Sequence, residues 1–238
     1  MPSQPPSAPA KEESASSGSR LLIDYAALPA ELNGGLPIES YSLEIDDGEG
    51  GAFVALTGLA VPSLATSQLI TTGVREGVTY RVRYRARNAY GWGPYSATAA
   101  ILAAQAPAQP PTAPGVVSVS DTDIQVRLDL GVANGGAPIT AYSLEINEGG
   151  LLNDVFSEVA SYDGTASLQL HTLNIVTDSL VYGTIYKLRF RAQNLVGTGE
   201  PSDVTLVALT AVPAAPPTPT RVESSSSETS VAVSWADM

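Results

Sequence analysis

The chain contains no cysteine. That excludes disulfides and thiolate metal sites and fits a reducing compartment. Histidine is nearly absent as well, with His171 alone, so a zinc site built from His and Cys has too few ligands. No run approaches the 18 apolar residues that a membrane-spanning helix needs. The first twenty residues, rich in Pro and Ser, have no apolar h-region and do not read as a secretory signal peptide. With Met1 as the true start, a cytoplasmic or cytoskeletal location is expected; as a fragment, the chain is equally compatible with an extracellular one. There is no N-x-[ST] glycosylation sequon. Basic side chains are scarce, 12 Lys and Arg against 24 Asp and Glu, for a net charge of −12 and a pI near 4.4. Such a chain is a poor ligand for phosphate backbones, and no nucleic-acid partner is expected. No nucleophile elbow, phosphate-binding loop or dinucleotide motif occurs, so neither a cofactor nor a catalytic residue is expected.

What the chain does have is an internal repeat. Asn33 to Ile45, NGGLPIESYSLEI, returns as Asn134 to Ile146, NGGAPITAYSLEI. Gly77 to Ser96, GVTYRVRYRARNAYGWGPYS, returns as Gly183 to Ser202, GTIYKLRFRAQNLVGTGEPS. Order and spacing are kept, so the repeated unit is a domain of about 100 residues. The apolar share of 44% suffices for each unit to bury a core. Charge is uneven between them. Residues 20–105 hold 8 acids and 6 arginines, a net of −2, whereas 108–210 hold 11 acids and 4 bases, a net of −7. Solubility accounts for this charge, and the second unit would also attract a basic partner.

Within each unit the apolar period is two. Tyr80, Val82, Tyr84 and Ala86 point one way and Arg81, Arg83, Arg85 and Arg87 the other; Tyr186, Leu188, Phe190 and Ala192 alternate likewise with Lys187, Arg189 and Arg191. One buried and one wet face, with Gly/Pro/Asn turns every 8 to 15 residues, is the pattern of an antiparallel two-sheet sandwich. Five segments are expected: a disordered Pro/Ser-rich tail over 1–19, a first sandwich over 20–104, and a Pro-rich linker over 105–111. A second sandwich over 112–210 and a Pro-rich stretch with the start of an incomplete third over 211–238 complete the division.

These motifs resemble tandem fibronectin type III domains. The family pattern of G-x-P-I-x-x-Y, then L-x-x-G-x-x-Y, then A-x-N-x-x-G-x-G-x-x-S is met by Val74/Gly77/Tyr80, Ala86, Asn88, Gly91, Gly93 and Ser96. It is met again by Leu180/Gly183/Tyr186, Ala192, Asn194, Gly197, Gly199 and Ser202. The resemblance implies that Tyr80 and Tyr186 form the family's tyrosine corner, ring inward and hydroxyl bonded to upstream backbone. The family's Trp position holds Tyr25 and Leu128 in the two units, and only Trp235 restores it. Lys11 to Ser16 sit where the first unit's opening strand belongs yet lack apolar alternation, so a short or missing edge strand is expected there.

Three features invite a functional reading. His171 lies on an alternating strand with Ser167 and Gln169 and reads as an exposed strand residue, since acid–base work needs a positioned partner. Asp46-Asp47-Gly48-Glu49-Gly50-Gly51 is too compact for a calcium loop and reads as a solvated hairpin, leaving no metal expected. The arginine stripe is expected to pair across strands with Glu44 and Asp46, as Arg189 and Arg191 would with Glu145. The loop between the last two strands carries Tyr90, Trp92 and Tyr95, where the second unit has Val196, Thr198 and Pro201. Aromatics on a loop of a rigid scaffold make it the candidate protein-binding site; the competing expectation is that Trp92 folds back onto its own domain. No RGD tripeptide is present. The leading functional expectation is a noncatalytic spacer or scaffold within a multi-domain array, its wording similar to repeats of titin-like proteins. An adhesion or receptor ectodomain and an accessory module of a larger enzyme stay open. Protein partners and neighbouring domains of the same array are the expected contacts.

Overall fold

The computed structural model describes residues 1–5, 7–211 and 215–235. It is all-β, with antiparallel pairing throughout. The first repeat is formed by β1 (Ala10–Lys11), β2 (Leu21–Asp24), β3 (Ser40–Ile45), β4 (Val54–Thr57), β5 (Ser67–Ile70), β6 (Thr79–Asn88), β7 (Gly91–Trp92) and β8 (Ala99–Leu102). One sheet runs β1-β2-β5; the other runs β4-β3-β6, with β7 and β8 both pairing β6. The second repeat is formed by β9 (Gly115–Val119), β10 (Asp123–Arg127), β11 (Ile139–Asn147), β12 (Phe156–Glu158), β13 (Leu170–Asn174), β14 (Ile185–Asn194) and β15 (Thr205–Ala208). Its sheets run β13-β10-β9 and β12-β11-β14-β15.

Period-two alternation explains the cores. Along β6 every second residue is buried and the arginines between are half-exposed; β14 does the same. Leu21, Ile23, Leu43, Val82 and Tyr84 fill the first core, and Ile124, Val126, Leu144, Leu188 and Phe190 the second, all at 0–1% exposure. Tyr25 packs against Tyr41 and Tyr84, ring centroids 6.3 and 5.0 Å away. Tyr84 donates to Ala26 O, and Tyr41 accepts from Leu28 N. Tyr25's own hydroxyl is buried without a partner, and burial, with the neighbouring tyrosines, pushes its pKa up to about 12. Leu128 takes the equivalent place in the second repeat, almost fully buried.

Both tyrosine hydroxyls of the corners reach upstream backbone. Tyr80 donates to Gly73 O and accepts from Arg75 N, while Tyr186 accepts from Val181 N. They pin the connection into β6 and β14.

The expected disordered tail over 1–19 is not what the structure shows. Ala10 and Lys11 pair with Asp24 and Ile23, and Ser3 N donates to Leu32 O. The first repeat therefore begins well before residue 20. Its edge strand is short, two residues against five in β9. Residues 105–108, expected within a linker, repeat the arrangement of the tail on the second repeat: Gln105 N donates to Gly135 O and Ala108 N to Ala133 O. Asn194 Nδ2 clamps Gln105 O and Asn134 O. The second glycine of each G-x-G is what lets the chain lie there. A Cβ on Gly93 or Gly199 would collide with Pro2 O or Pro107 O.

Residues 220–234 form a third, smaller hairpin, β16 (Thr220–Arg221) with β17 (Val233–Ser234). It copies the register and the main backbone bonds of the β1–β2 hairpin. Ser227 N donates to Ser230 O as Ser17 N does to Arg20 O. Ser226 Oγ accepts Ala232 N as Ser16 Oγ accepts Leu22 N. Val231, Val233 and Trp235 are exposed, whereas their counterparts Leu21, Ile23 and Tyr25 are core. Residues 212–214 and 236–238 of the expected 211–238 segment lie outside the described residues.

Candidate functional site

The outward face of β3 and β6 is where the charged side chains meet. Antiparallel register sets Glu44 opposite Arg83, Ser42 opposite Arg85 and Ser40 opposite Arg87. Arg83 donates from Nε and Nη2 to Glu44 Oε2, at 3.0 and 2.8 Å. Arg81 Nε donates to Asp46 Oδ2 at 2.7 Å and its amide to Asp46 Oδ1. The expected cross-strand pairing is thus present, but the acids are not outward and wet: Glu44 and Asp46 are 5% and 6% exposed. Burial alone would raise the Asp46 carboxyl; the Arg81 side-chain and backbone hydrogen bonds outweigh it and hold it below the ordinary carboxylate range. In the second repeat Glu145 spends both oxygens on Arg189 and Arg191.

β7 explains what the loop aromatics do. It pairs Trp92 directly opposite Arg87 and Gly91 opposite Asn88, so Trp92 lands on the arginine face and only Ala89 and Tyr90 remain at the tip. Phe53, Arg83, Tyr95, Arg85, Trp92 and Arg87 then alternate along the sheet. Arg83 lies 4.0 Å from the Phe53 ring and 3.7 Å from Tyr95. Arg85 lies 4.4 Å from Tyr95 and 4.8 Å from Trp92, and Arg87 5.3 Å from Trp92. These are cation–π distances. Tyr95 also donates to Glu44 Oε1 at 2.7 Å; burial, then this bond, raises its pKa.

The three candidate loop residues therefore part company. Tyr90 is 72% exposed, whereas Trp92 and Tyr95 are half-buried on their own sheet. The competing expectation, that Trp92 folds back onto its own domain, describes its geometry, and Tyr95 folds back with it. The missing information was the register that sets Trp92 across from Arg87. Where the second repeat carries Thr198 and Gln193, the same face holds an open cleft of about 470 Å³ lined by Arg191 and Tyr162.

His171 is not the exposed strand residue expected. It is half-buried, edge-on to Tyr162 at 5.3 Å, with Nε2 3.0 Å from Ser161 Oγ. Ser161 in turn donates to Asp178 Oδ1. A hydrolase triad uses the same three residue types, but here they are connected in the wrong order. The serine lies between histidine and aspartate and gives its proton to the carboxylate, so the imidazole is left to donate rather than act as base. Asp178 is further occupied by Asn174 N and Thr177 Oγ1. The network staples a loop. The Asp46–Gly51 run is likewise self-satisfied, Asp47 Oδ1 accepting Glu49 N and Gly51 N while Arg75 binds Glu49. Among the described residues, no cluster of three or more His, Cys, Asp or Glu side chains is placed to hold a metal, and no helix is long and apolar enough to cross a membrane.

No family model matches the chain. Among curated proteins, the chain is 31% identical over 176 residues to fibronectin type-III domain-containing protein 3a of Gallus gallus, covering 74% of this chain and 13% of that protein. It is 33% identical over 137 residues to contactin-1 of Bos taurus, covering 56% of this chain and 12% of that protein. The chain thus spans a small part of the relatives it matches. A solved structure of chicken CNTN1 FN1-FN3 domains aligns over 89% of this chain and 68% of its own length, at 18% identity and a TM-score of 0.48. The duplicated sandwich, the tyrosine hydroxyls bonded upstream at each corner and the curated relatives identify the chain as tandem fibronectin type III domains.

Proposed function

We propose that this chain is a noncatalytic structural and protein-interaction module, a spacer or scaffold segment of a multi-domain fibronectin type III array. The observation that carries the reading is the spent state of its polar chemistry. Arg81 and Arg83 are spent on buried acids, Arg85 and Arg87 carry no proton-transfer chemistry and are stacked on aromatics, and the Ser161–His171–Asp178 cluster is closed on itself. A scaffold needs such satisfied faces, whereas catalysis needs a group left free to move a proton. The β16–β17 hairpin supports the array. It has the hydrogen bonds of a sandwich's opening hairpin and an apolar face, Val231, Val233 and Trp235, with no sheet against it among the described residues. We assign it as the start of a third sandwich. Within the array, the loop bearing Tyr90, Trp92 and Tyr95 is the proposed protein-binding site, with Tyr90 as the residue free to make contact and the other two as its support.

Sequencing the complete transcript that encodes this chain tests the reading. Further repeats on either side support the array. A signal peptide with a membrane span would make it an ectodomain, and a catalytic domain on the same chain would make it an enzyme's accessory module; either result replaces the scaffold assignment.

A further inference from the structure

The two repeats differ in how many of their arginines are satisfied. In the second, Arg189 and Arg191 both donate to Glu145, and Arg191 donates also to Gly199 O. In the first, Arg81 and Arg83 use up Asp46 and Glu44 Oε2, and Tyr95 takes Glu44 Oε1. Arg85 and Arg87 are left over. Their closest carboxylate oxygens are 3.7 and 3.9 Å away, beyond hydrogen-bond reach. Among the described residues neither guanidinium donates a hydrogen bond, and the Nε atoms of both are buried without a partner. Their side chains keep 20% and 30% exposure. Trp92 lies against both guanidiniums and Tyr95 against that of Arg85; with the Nε atoms buried, the Nη ends are the donors left to reach solvent. An arginine fork presented edge-on is shaped for a carboxylate, and here the stack fixes it before any ligand arrives.

We propose that Arg85 and Arg87, held beneath Trp92 with Tyr90 at the rim, form a docking site for a carboxylate side chain of an acidic protein partner. The inference rests on the interaction-module reading and gives it a chemistry. Charge complementarity selects the partner's sign: this end of the face carries two cations without hydrogen-bonded counter-charge in a chain whose net charge is −12. That same net charge argues for a protein over a polyanion, since an extended polyanion would be repelled beyond this small patch. Exposed tyrosine beside arginine and tryptophan is also the composition of protein–protein hot spots. The second repeat serves as an internal control, because it carries Gln193 and Thr198 where the first has Arg87 and Trp92.

The test is a nuclear magnetic resonance titration of the isotope-labelled full chain with a short acetylated, amidated Glu-Gly repeat peptide. The Gln-Gly peptide and sodium sulfate run in parallel. Saturable shifts at the Arg85 and Arg87 Nε–H and the Trp92 indole N–H with the Glu peptide alone are expected. Arg87→Gln, a residue the second repeat tolerates at this position, is expected to weaken binding about tenfold, the scale of a lost hydrogen bond to a charged group. Equal shifts at Arg189 and Arg191, or none at Arg85 and Arg87, overturn the site. Sulfate matching the peptide overturns the protein partner in favour of a small anion. In each of these cases, further repeats in the complete transcript would leave the scaffold reading standing, so the two failures are separable.

Discussion

Trp92 and Tyr90 sit two residues apart on one hairpin and do opposite things. Trp92 covers two guanidiniums, and a half-buried cation–π contact contributes about 0.5–2 kcal/mol. Tyr90 stands in solvent. Trp92→Ala is therefore expected to lower the stability of the first repeat by about 1–2 kcal/mol. Tyr90→Ala should leave it within about 0.5 kcal/mol. Urea unfolding followed by resonances of each repeat measures both, and equal effects would mean that Trp92 is not part of the stack. His171 makes a residue-scale prediction of its own. Burial lowers its pKa from the ordinary 6.5, and Asp178 opposes this only in part. The unfolded chain consequently takes up the proton first as pH falls, so the second repeat is fully stabilised above about pH 6.5 and loses stability below it. His171→Gln should flatten that decline relative to the parent chain between about pH 7 and pH 5; an unchanged slope would show that the imidazole is solvated like a free one. The fold-back of Trp92 was one of two readings the sequence left open, whereas the setting of His171 was not legible from it. The hydrogen-bond partner of His171, Ser161, is ten residues away, and Asp178, which Ser161 bonds in turn, is seven, both on loops with no periodic pattern to place them.

Elements were legible where alternation is strong. β3, β6, β11 and β14 carry period-two patterns, and the pairing of Glu44 with Arg83 and of Glu145 with Arg189 follows from them. β1 was not, because Lys11 makes its contribution through its ammonium: Nζ donates to Ala104 O and pairs with Glu13, with the side chain 8% exposed. A strand held by such contacts leaves no apolar signature. The connections between strands yield a prediction at this scale. Tyr80 holds the turn into β6 by two hydrogen bonds, to Gly73 O and from Arg75 N, whereas Tyr186 holds the turn into β14 by accepting one, from Val181 N. At about 0.5–1.5 kcal/mol for each bond, Tyr80→Phe should destabilise its repeat roughly twice as much as Tyr186→Phe does its own. Denaturant midpoints for the two repeats decide it, and the reverse order would show that packing of the ring, not the hydroxyl, sets the corner's contribution.

At the scale of the whole molecule, the repeats own the chain that leads into them. Residues 1–5 lie on the first sandwich as residues 105–108 lie on the second. The same two devices are used in each: an Asn side chain clamping the Asn-Gly turn, and a glycine clearing room for the incoming carbonyl. Composition alone reads the first stretch as a disordered Pro/Ser-rich tail and the second as a Pro-rich linker, because polyproline-like segments bond through scattered backbone groups that no hydrophobic pattern reveals. The consequence concerns where a repeat begins. A chain of residues 112–210 keeps every strand of the second sandwich but loses Gln105 N to Gly135 O, Ala108 N to Ala133 O and Asn194 Nδ2 to Gln105 O. Three such bonds at about 0.5–1.5 kcal/mol each, partly replaced by water, amount to about 2 kcal/mol. Residues 105–210 are accordingly expected to unfold at higher urea than residues 112–210, with the difference lying in the midpoint and little change in slope. Equal midpoints would mean that the segment is a passive connector. A loss near 2 kcal/mol would mean that the second sandwich is completed by the proline-rich stretch ahead of it, so that cutting the chain at its proline run removes part of the domain that follows.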